Sequence, residues 1–205
     1  MNHSELTALL TFAAAMSFSP GPNTTLSTAL AANRGMQQAI RFCMAVPVGW
    51  TLLILCCGLG LGALILKIPS LRWGIKLLGV TYLLWLAWKL VRQTSLAGSA
   101  DSNLLRIGFI QGVLLQFVNI KAWMLALTVT AGWVVSAGGF AAPNPIERLA
   151  IVAPLMALFA FSSNLTYAVA GSLMRDWLEK GQRLRRFNRM LALVLAATGI
   201  WMLRV

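Results

Sequence analysis

Two short polar segments stand inside long apolar runs, and their residues are of types that could bind a small polar solute. The first is Ser19-Pro20-Gly21-Pro22-Asn23, which is followed by Thr24. Proline lacks a backbone N–H, so this segment predicts a helix break with unbonded backbone groups. The helix that restarts after Pro22 would point its N–H groups and positive dipole end at an anion such as a carboxylate. A simple proline kink is the alternative, but Pro-Gly-Pro followed by Asn and two Thr favours a true break.

The second segment is Gln116-Phe117-Val118-Asn119-Ile120-Lys121, and it holds the one basic residue deep inside an apolar run. A charge near the bilayer centre is costly and usually functional. The alternative is that Lys121 snorkels from a shorter helix ending near Asn119. In a later run, Asn164 could bond a substrate or hold two helices together. The predicted substrate-binding residues are Ser19, Pro20, Gly21, Pro22, Asn23, Thr24, Gln116, Asn119, Lys121, Asn164 and Tyr167.

Side chains for catalysis or metal binding are not arranged into a site. The single histidine, His3, is close to the N-terminus, and the three cysteines have no metal or redox spacing. The five acidic residues all fall at the ends of apolar runs or in loops: Glu5, Asp101, Glu147, Asp176 and Glu179. We therefore predict no catalytic residue, no bound metal and no cofactor, which argues against a membrane enzyme.

The composition is that of a membrane protein. Of 205 residues, 59% are hydrophobic and only 11% are charged, against about 25% charged in soluble domains. The formal charge of +12 does not indicate nucleic-acid binding, because the basic residues sit at the ends of the apolar runs, where they meet lipid head groups. The lipid bilayer is the predicted partner.

The apolar runs predict an all-α integral membrane protein with six transmembrane helices, because each is about long enough to cross hydrocarbon. The expected helices are Leu6–Asn33, Arg41–Leu66, Leu71–Val91, Leu104–Val135, Ile146–Met174 and Leu184–Leu203. Helices 1 and 4 carry the two interruptions. A polar linker, 94–103, separates a first set of three helices (about 1–93) from a second (about 104–205). Since an odd number of helices reverses direction, we predict two inverted repeats in a single transporter domain.

The basic residues also predict an orientation. The loops between helices 1 and 2, 3 and 4, and 5 and 6 hold 11 lysines and arginines, and the opposite side holds 5. Basic loops remain on the cytoplasmic side. Both termini are therefore expected outside, on the periplasmic face of a bacterial inner membrane.

The two segments resemble the two signatures of the LysE-type translocators, a family of amino-acid exporters, and the resemblance extends over the whole chain. It implies export of amino acids or close derivatives, driven by the proton gradient. The second signature usually has proline where this chain has Ile120, so we expect a softer second break. This β-branched residue, the segment Gly35–Arg41 and the region Arg185–Met190 resemble the branch that exports cysteine and O-acetylserine.

The residues leave the substrate and the energy source open. Neutral amino acids such as cysteine, O-acetylserine, homoserine or threonine are favoured, because no core carboxylate could face a cationic side chain. If protons are coupled to export, Lys121 is the titratable candidate; otherwise the solute runs down its own gradient. A transporter of another small solute and a structural or assembly protein are the alternatives. A homodimer is compatible with so small a transporter.

Overall fold

A computed structural model describes residues 1–62, 67–96, 105–137, 139–180 and 182–204. In these ranges, helices and one small hairpin account for the regular structure. The helices are α1 (His3–Phe18), α2 (Pro22–Arg34), α3 (Met36–Gly58), α4 (Pro69–Arg92), α5 (Phe109–Val118), α6 (Ile120–Val129), α7 (Pro145–Leu173), α8 (Arg175–Leu178) and α9 (Arg183–Arg204). A π-helical turn, Thr130–Val134, continues α6. Antiparallel strands β1 (Ser136–Ala137) and β2 (Phe140–Ala141) follow it.

The bounds of several helices agree with the sequence prediction within one or two residues. This holds for α4, α7 and α9. Proline begins both α4 (Pro69) and α7 (Pro145), at a position where the backbone N–H would have no partner within the helix. The helix predicted to begin at Arg41 is α3, and it begins five residues earlier, at Met36. Gly35, which has a positive φ, ends α2 and turns the chain directly into α3. The predicted helix to Leu66 is wrong at Leu59 and Gly60, where α3 has ended, and α5 begins at Phe109, after four non-helical residues, and not at Leu104. Leu66, Leu104 and most of the linker 94–103 lie outside the described residues.

Long apolar helices confirm an all-α membrane protein. In the described part of the chain, α3, α4 and α7 are each long and apolar enough to cross a bilayer, and the bent pair of α5 with α6 makes a fourth candidate. With 16 and 13 residues, α1 and α2 are each shorter than a span of about 20 residues. The six spans and the two inverted repeats stay predictions.

The two interrupted helices run in opposite directions. At one end of the molecule, Gln38 near the start of α3 donates to the Ile107 carbonyl just before α5. At the other end, the indole of Trp133 beyond α6 donates to the Glu5 carbonyl in α1 at 3.1 Å. The start of α1 therefore lies beside the end of the α6 helix, as an antiparallel pair requires.

The half-helices α2 and α5 each pack against a long helix of the other half of the chain. Helix α2 packs on α7, where Gly171 lies against the backbone of Thr28. Helix α5 packs on α3, where a Cβ on Gly49 would come within 2.7 Å of the Val113 carbonyl oxygen. Glycine permits these close backbone approaches, which small residues allow between membrane helices. The packing brings the two breaks into contact with each other.

Candidate functional site

The first break confirms the interruption expected in helix 1. Helix α1 ends at Phe18, and α2 begins at Pro22. Gly21 between them is fully extended, and its N–H donates to the Thr24 hydroxyl oxygen at 3.0 Å. That hydroxyl donates back to the Gly21 carbonyl at 3.1 Å. The threonine side chain thus caps α2 and holds the break open, which a kink in a continuous helix would not require.

The second break is sharper than the sequence predicted. Helices α5 and α6 meet at Asn119 and are bent by 70°. Our expectation of a softened break at Ile120 is therefore wrong. Asn119 has extended backbone angles (φ −88°, ψ 100°), and its side-chain oxygen accepts the Lys121 N–H at 3.1 Å. An N-cap asparagine ends one helix and starts the next without proline.

The Lys121 side chain joins the two breaks. Its ammonium donates to the Ser19 hydroxyl at 2.6 Å and to the Ser19 and Pro20 carbonyls at 3.2 Å each. These three acceptors match the three protons of a primary ammonium. A helix does begin beside Asn119, as the snorkelling interpretation supposed. The ammonium, however, turns inward to the carbonyl end of α1, where the helix dipole favours a cation.

A reciprocal amide pair makes a second connection between the breaks. The Asn23 amide donates to Gln116 Oε1 at 2.8 Å, and the Gln116 amide donates to Asn23 Oδ1 at 3.2 Å. Gln116 is fully buried and also donates to the Gly112 carbonyl at 3.0 Å. Its role in this structure is to hold the two breaks in register.

The polar residues predicted on the later run contact the first broken helix. The buried Asn164 accepts from the Ser27 hydroxyl at 2.8 Å and donates to the Ala160 carbonyl at 2.8 Å. The Tyr167 hydroxyl donates to the Phe18 carbonyl at the end of α1, at 2.9 Å. Both residues therefore hold helices together, and Asn164 in addition reaches the cavity described next.

A cavity lies where the two breaks meet, with about 50 Å³ open to the centres of water molecules. This is room for about three to five waters. From the first break it is lined by Ser19, Gly21, Pro22, Asn23 and Thr24. Asn119, Lys121 and Asn164 also line it, whereas Pro20, Gln116 and Tyr167 do not.

Sequence reasoning missed the apolar wall of the cavity. Val46 and Trp50 come from α3, and Met156 and Ala160 come from α7. Met156, Ala160 and Asn164 are spaced four residues apart, so they share one helix face. This four-residue spacing, counted back from Asn164, indicates in the sequence that Met156 and Ala160 lie on the same helix face as Asn164.

The cavity offers hydrogen-bond donors and a positive charge. Lys121 is its only titratable lining side chain among the described residues, and no carboxylate is on its wall. In the described ranges, no group of three His, Cys, Asp or Glu side chains could hold a metal ion. The site can therefore receive a small solute that carries an acceptor such as a carboxylate.

Known proteins are similar in sequence to this chain over nearly its full length. The family model described as LysE type translocator matches residues 14–204. The chain is 28% identical over 192 residues to a cysteine/O-acetylserine efflux protein of Salmonella choleraesuis, covering 93% of this chain and 91% of the relative. Proteins of the same description from Klebsiella pneumoniae (28% over 200 residues, 95% of each) and Escherichia coli (27% over 198 residues, 96% and 94%) are similar. No solved structure matches.

Proposed function

Because this chain belongs to the LysE type translocator family, it is a membrane transporter and not an enzyme, and we propose that it exports small neutral amino acids from the cell. The relatives' descriptions as cysteine/O-acetylserine efflux proteins make cysteine and O-acetylserine the first candidates. Homoserine and threonine are of similar size and charge and come next.

One observation carries the proposal: the two ends of the first broken helix face one cavity with opposite polarity. The carbonyl end of α1 is the negative end of a helix dipole, and the N–H end of α2 is the positive end. Among the described residues, no protein acceptor takes the N–H protons of Asn23 and Thr24. A zwitterionic amino acid has the complementary charges one carbon apart. Its carboxylate would sit at these amides and its ammonium at the α1 carbonyls.

The lining residues favour a neutral side chain. A second positive charge on the substrate would find Lys121 and no carboxylate on the described wall of the cavity. Like charges in a poorly solvated site repel strongly. The apolar contacts of Trp50, Met16 and Met156 suit a short, uncharged side chain.

We further propose that export is linked to the proton gradient, with Lys121 as the coupling group. Its ammonium bonds three acceptors at the junction of the breaks, and losing one proton would leave two N–H donors for those three oxygens. The transporter would have six spans in two inverted repeats, with both termini on the periplasmic side of a bacterial inner membrane. A homodimer fits its size.

The experiment is uptake of labelled cysteine, O-acetylserine, threonine and lysine into everted membrane vesicles, since export from the cell is uptake in that orientation. We expect uptake of the neutral amino acids above that of vesicles without the protein, with lysine at background. An uncoupler should abolish proton-linked uptake and leave movement down the solute's own gradient intact. No uptake across the panel would refute the proposal.

Variants separate transport from an architectural role. Asn23→Ala and Lys121→Ala should lose uptake at equal amounts of inserted protein, whereas Lys89→Ala, on α4 outside the cavity lining, should keep it. Retained uptake in the first two variants, with a change only in folding or complex formation, would favour the structural alternative.

A further inference from the structure

Three oxygen atoms around the first break form a site for a primary ammonium, and Lys121 fills it. We call them the oxygen triad: the Ser19 hydroxyl, the Ser19 carbonyl and the Pro20 carbonyl. We propose that the oxygen triad is the binding site for the substrate's own ammonium, which displaces Lys121 when it enters. This inference rests on the proposed function, since it assigns one half of the same zwitterion.

The geometry of the oxygen triad fits any primary ammonium. Its distances to the Lys121 nitrogen are 2.6, 3.2 and 3.2 Å, one for each N–H. The carbonyls of Ser19 and Pro20 directly follow the C-terminal end of α1, so the helix dipole adds to the attraction for a cation. The lysine contributes only a tether, and the chemistry that the oxygens recognise is the terminal –NH₃⁺ group.

Ser19, which supplies two of the three oxygens of the oxygen triad, lines the cavity, whereas Pro20 does not. Ser19 and Lys121 are both half-buried lining residues, and the backbone beside them is glycine. A Cβ on Gly21 would lie 3.1 Å from the lysine nitrogen and 3.3 Å from its Cδ. The absence of a side chain at position 21 therefore leaves room for an ammonium and for the movement of the lysine chain.

Exchange of one ammonium for another leaves no oxygen of the triad unpaired. Ser19 is half-buried, so displacement of Lys121 by a group without N–H donors would leave its oxygens without a donor and would be unfavourable. Exchange by an α-ammonium conserves all three bonds and frees the flexible lysine to pair with the incoming carboxylate. Its departure also enlarges a cavity that now has room for only a few waters.

The test supplies an ammonium without the tether. Lys121→Ala deletes the side chain beyond Cβ, and n-propylammonium replaces the deleted atoms. We expect the purified variant to unfold at a lower temperature than the wild type. At ten times its dissociation constant, propylammonium chloride should raise that temperature by about 3 to 6 °C. Tetramethylammonium chloride, which has the same charge and no N–H, should not raise the unfolding temperature of the wild type or of the variant.

Removing one oxygen of the triad provides the matched control. In Ser19→Ala/Lys121→Ala, loss of a hydrogen bond to a charged donor should weaken propylammonium binding about tenfold or more. Equal shifts with both salts, equal shifts in wild type and Lys121→Ala, or no shift would overturn the inference. If Lys121→Ala does not fold, the same salts are titrated against Lys121→Ser, which also lacks the side chain beyond the γ position, and no propylammonium-specific shift there is equally decisive.

The outcome is independent of the transport assay. Propylammonium-specific stabilisation with no amino-acid uptake would retain the ammonium site and refute the proposed function. Uptake without such stabilisation would retain the function and refute the displacement of Lys121.

Discussion

Replacing Gln116 by methionine should remove the hydrogen bonds between Gln116 and Asn23 that connect the two breaks. The expected loss in the free energy of unfolding follows from the number of bonds that Gln116 makes. Gln116 makes two reciprocal bonds with Asn23 and one with the Gly112 carbonyl. At about 1 kcal/mol for each neutral bond, Gln116→Met should lose about 3 kcal/mol of unfolding free energy. For a chain of this length, that lowers the unfolding temperature by about 6 to 12 °C. Asn23→Leu should lose about 2 kcal/mol, since it removes only the two shared bonds.

The double variant is the informative one. Once Gln116 has been replaced, Asn23→Leu removes no further shared bond, so the two losses should not add. We expect a coupling energy of about 2 kcal/mol between the positions. Independent sites add within about 0.5 kcal/mol. The assay is thermal unfolding of the four purified proteins in one detergent, and strict additivity would refute the claim that this pair joins the breaks.

A chemically matched pair elsewhere in the fold separates stability from transport. Asn33 and Asn188 form a reciprocal amide pair with both bonds at 2.8 Å, and both residues are fully buried. Neither residue lines the cavity. A double-mutant cycle on Asn33 and Asn188 should give a similar coupling energy in thermal unfolding and leave the KM for uptake unchanged. The cycle on Asn23 and Gln116 should show the coupling energy and also change the KM for uptake.

Three further substitutions test single contacts of the site. A Cβ on Gly79 would overlap the last carbonyl oxygen of α5 at the second break. Gly79→Ala should therefore lose about 1 to 3 kcal/mol of unfolding free energy in thermal unfolding. Gly74→Ala, on the same helix but facing open space, should not lose stability. Asn119→Ala removes the cap of α6 and should lose about 1 kcal/mol in denaturant unfolding, with Asn119→Ser keeping most of it. Tyr167→Phe removes one bond to α1 and should lower stability by about 1 kcal/mol while leaving KM for uptake unchanged, and a raised KM would instead place the hydroxyl on the substrate.

Local sequence chemistry predicted the helices and the first break well. Pro22, Pro69 and Pro145 start helices where proline is tolerated, and Pro20 lies in the break between α1 and α2. The second break shows the limit of such reasoning. Its bend is capped by the Asn119 side chain, which accepts the Lys121 N–H two residues later. A signature that lacks its usual proline does not reveal this bond.

Partners that are distant in the sequence could not be predicted from it. The Tyr167 hydroxyl bonds a carbonyl 149 residues earlier, and the Lys121 ammonium bonds atoms 101 and 102 residues earlier. Nothing in the local pattern around either residue specifies which carbonyl it meets. The resemblance to a family predicted that these segments matter, and the fold determines what each side chain contacts.

The long sequence separation between the first break and the residues that bond to it affects the order of events during synthesis. The first break is completed by Gln116, Lys121 and Tyr167, which follow their partners by 93 to 149 residues. At a synthesis rate of about 5 to 20 residues per second, they emerge from the ribosome about 5 to 30 s after the break. During that interval the carbonyls of Ser19 and Pro20 have no lysine to bond, and lipid cannot replace it. The first break therefore obtains its partners only after the second half of the chain has been made.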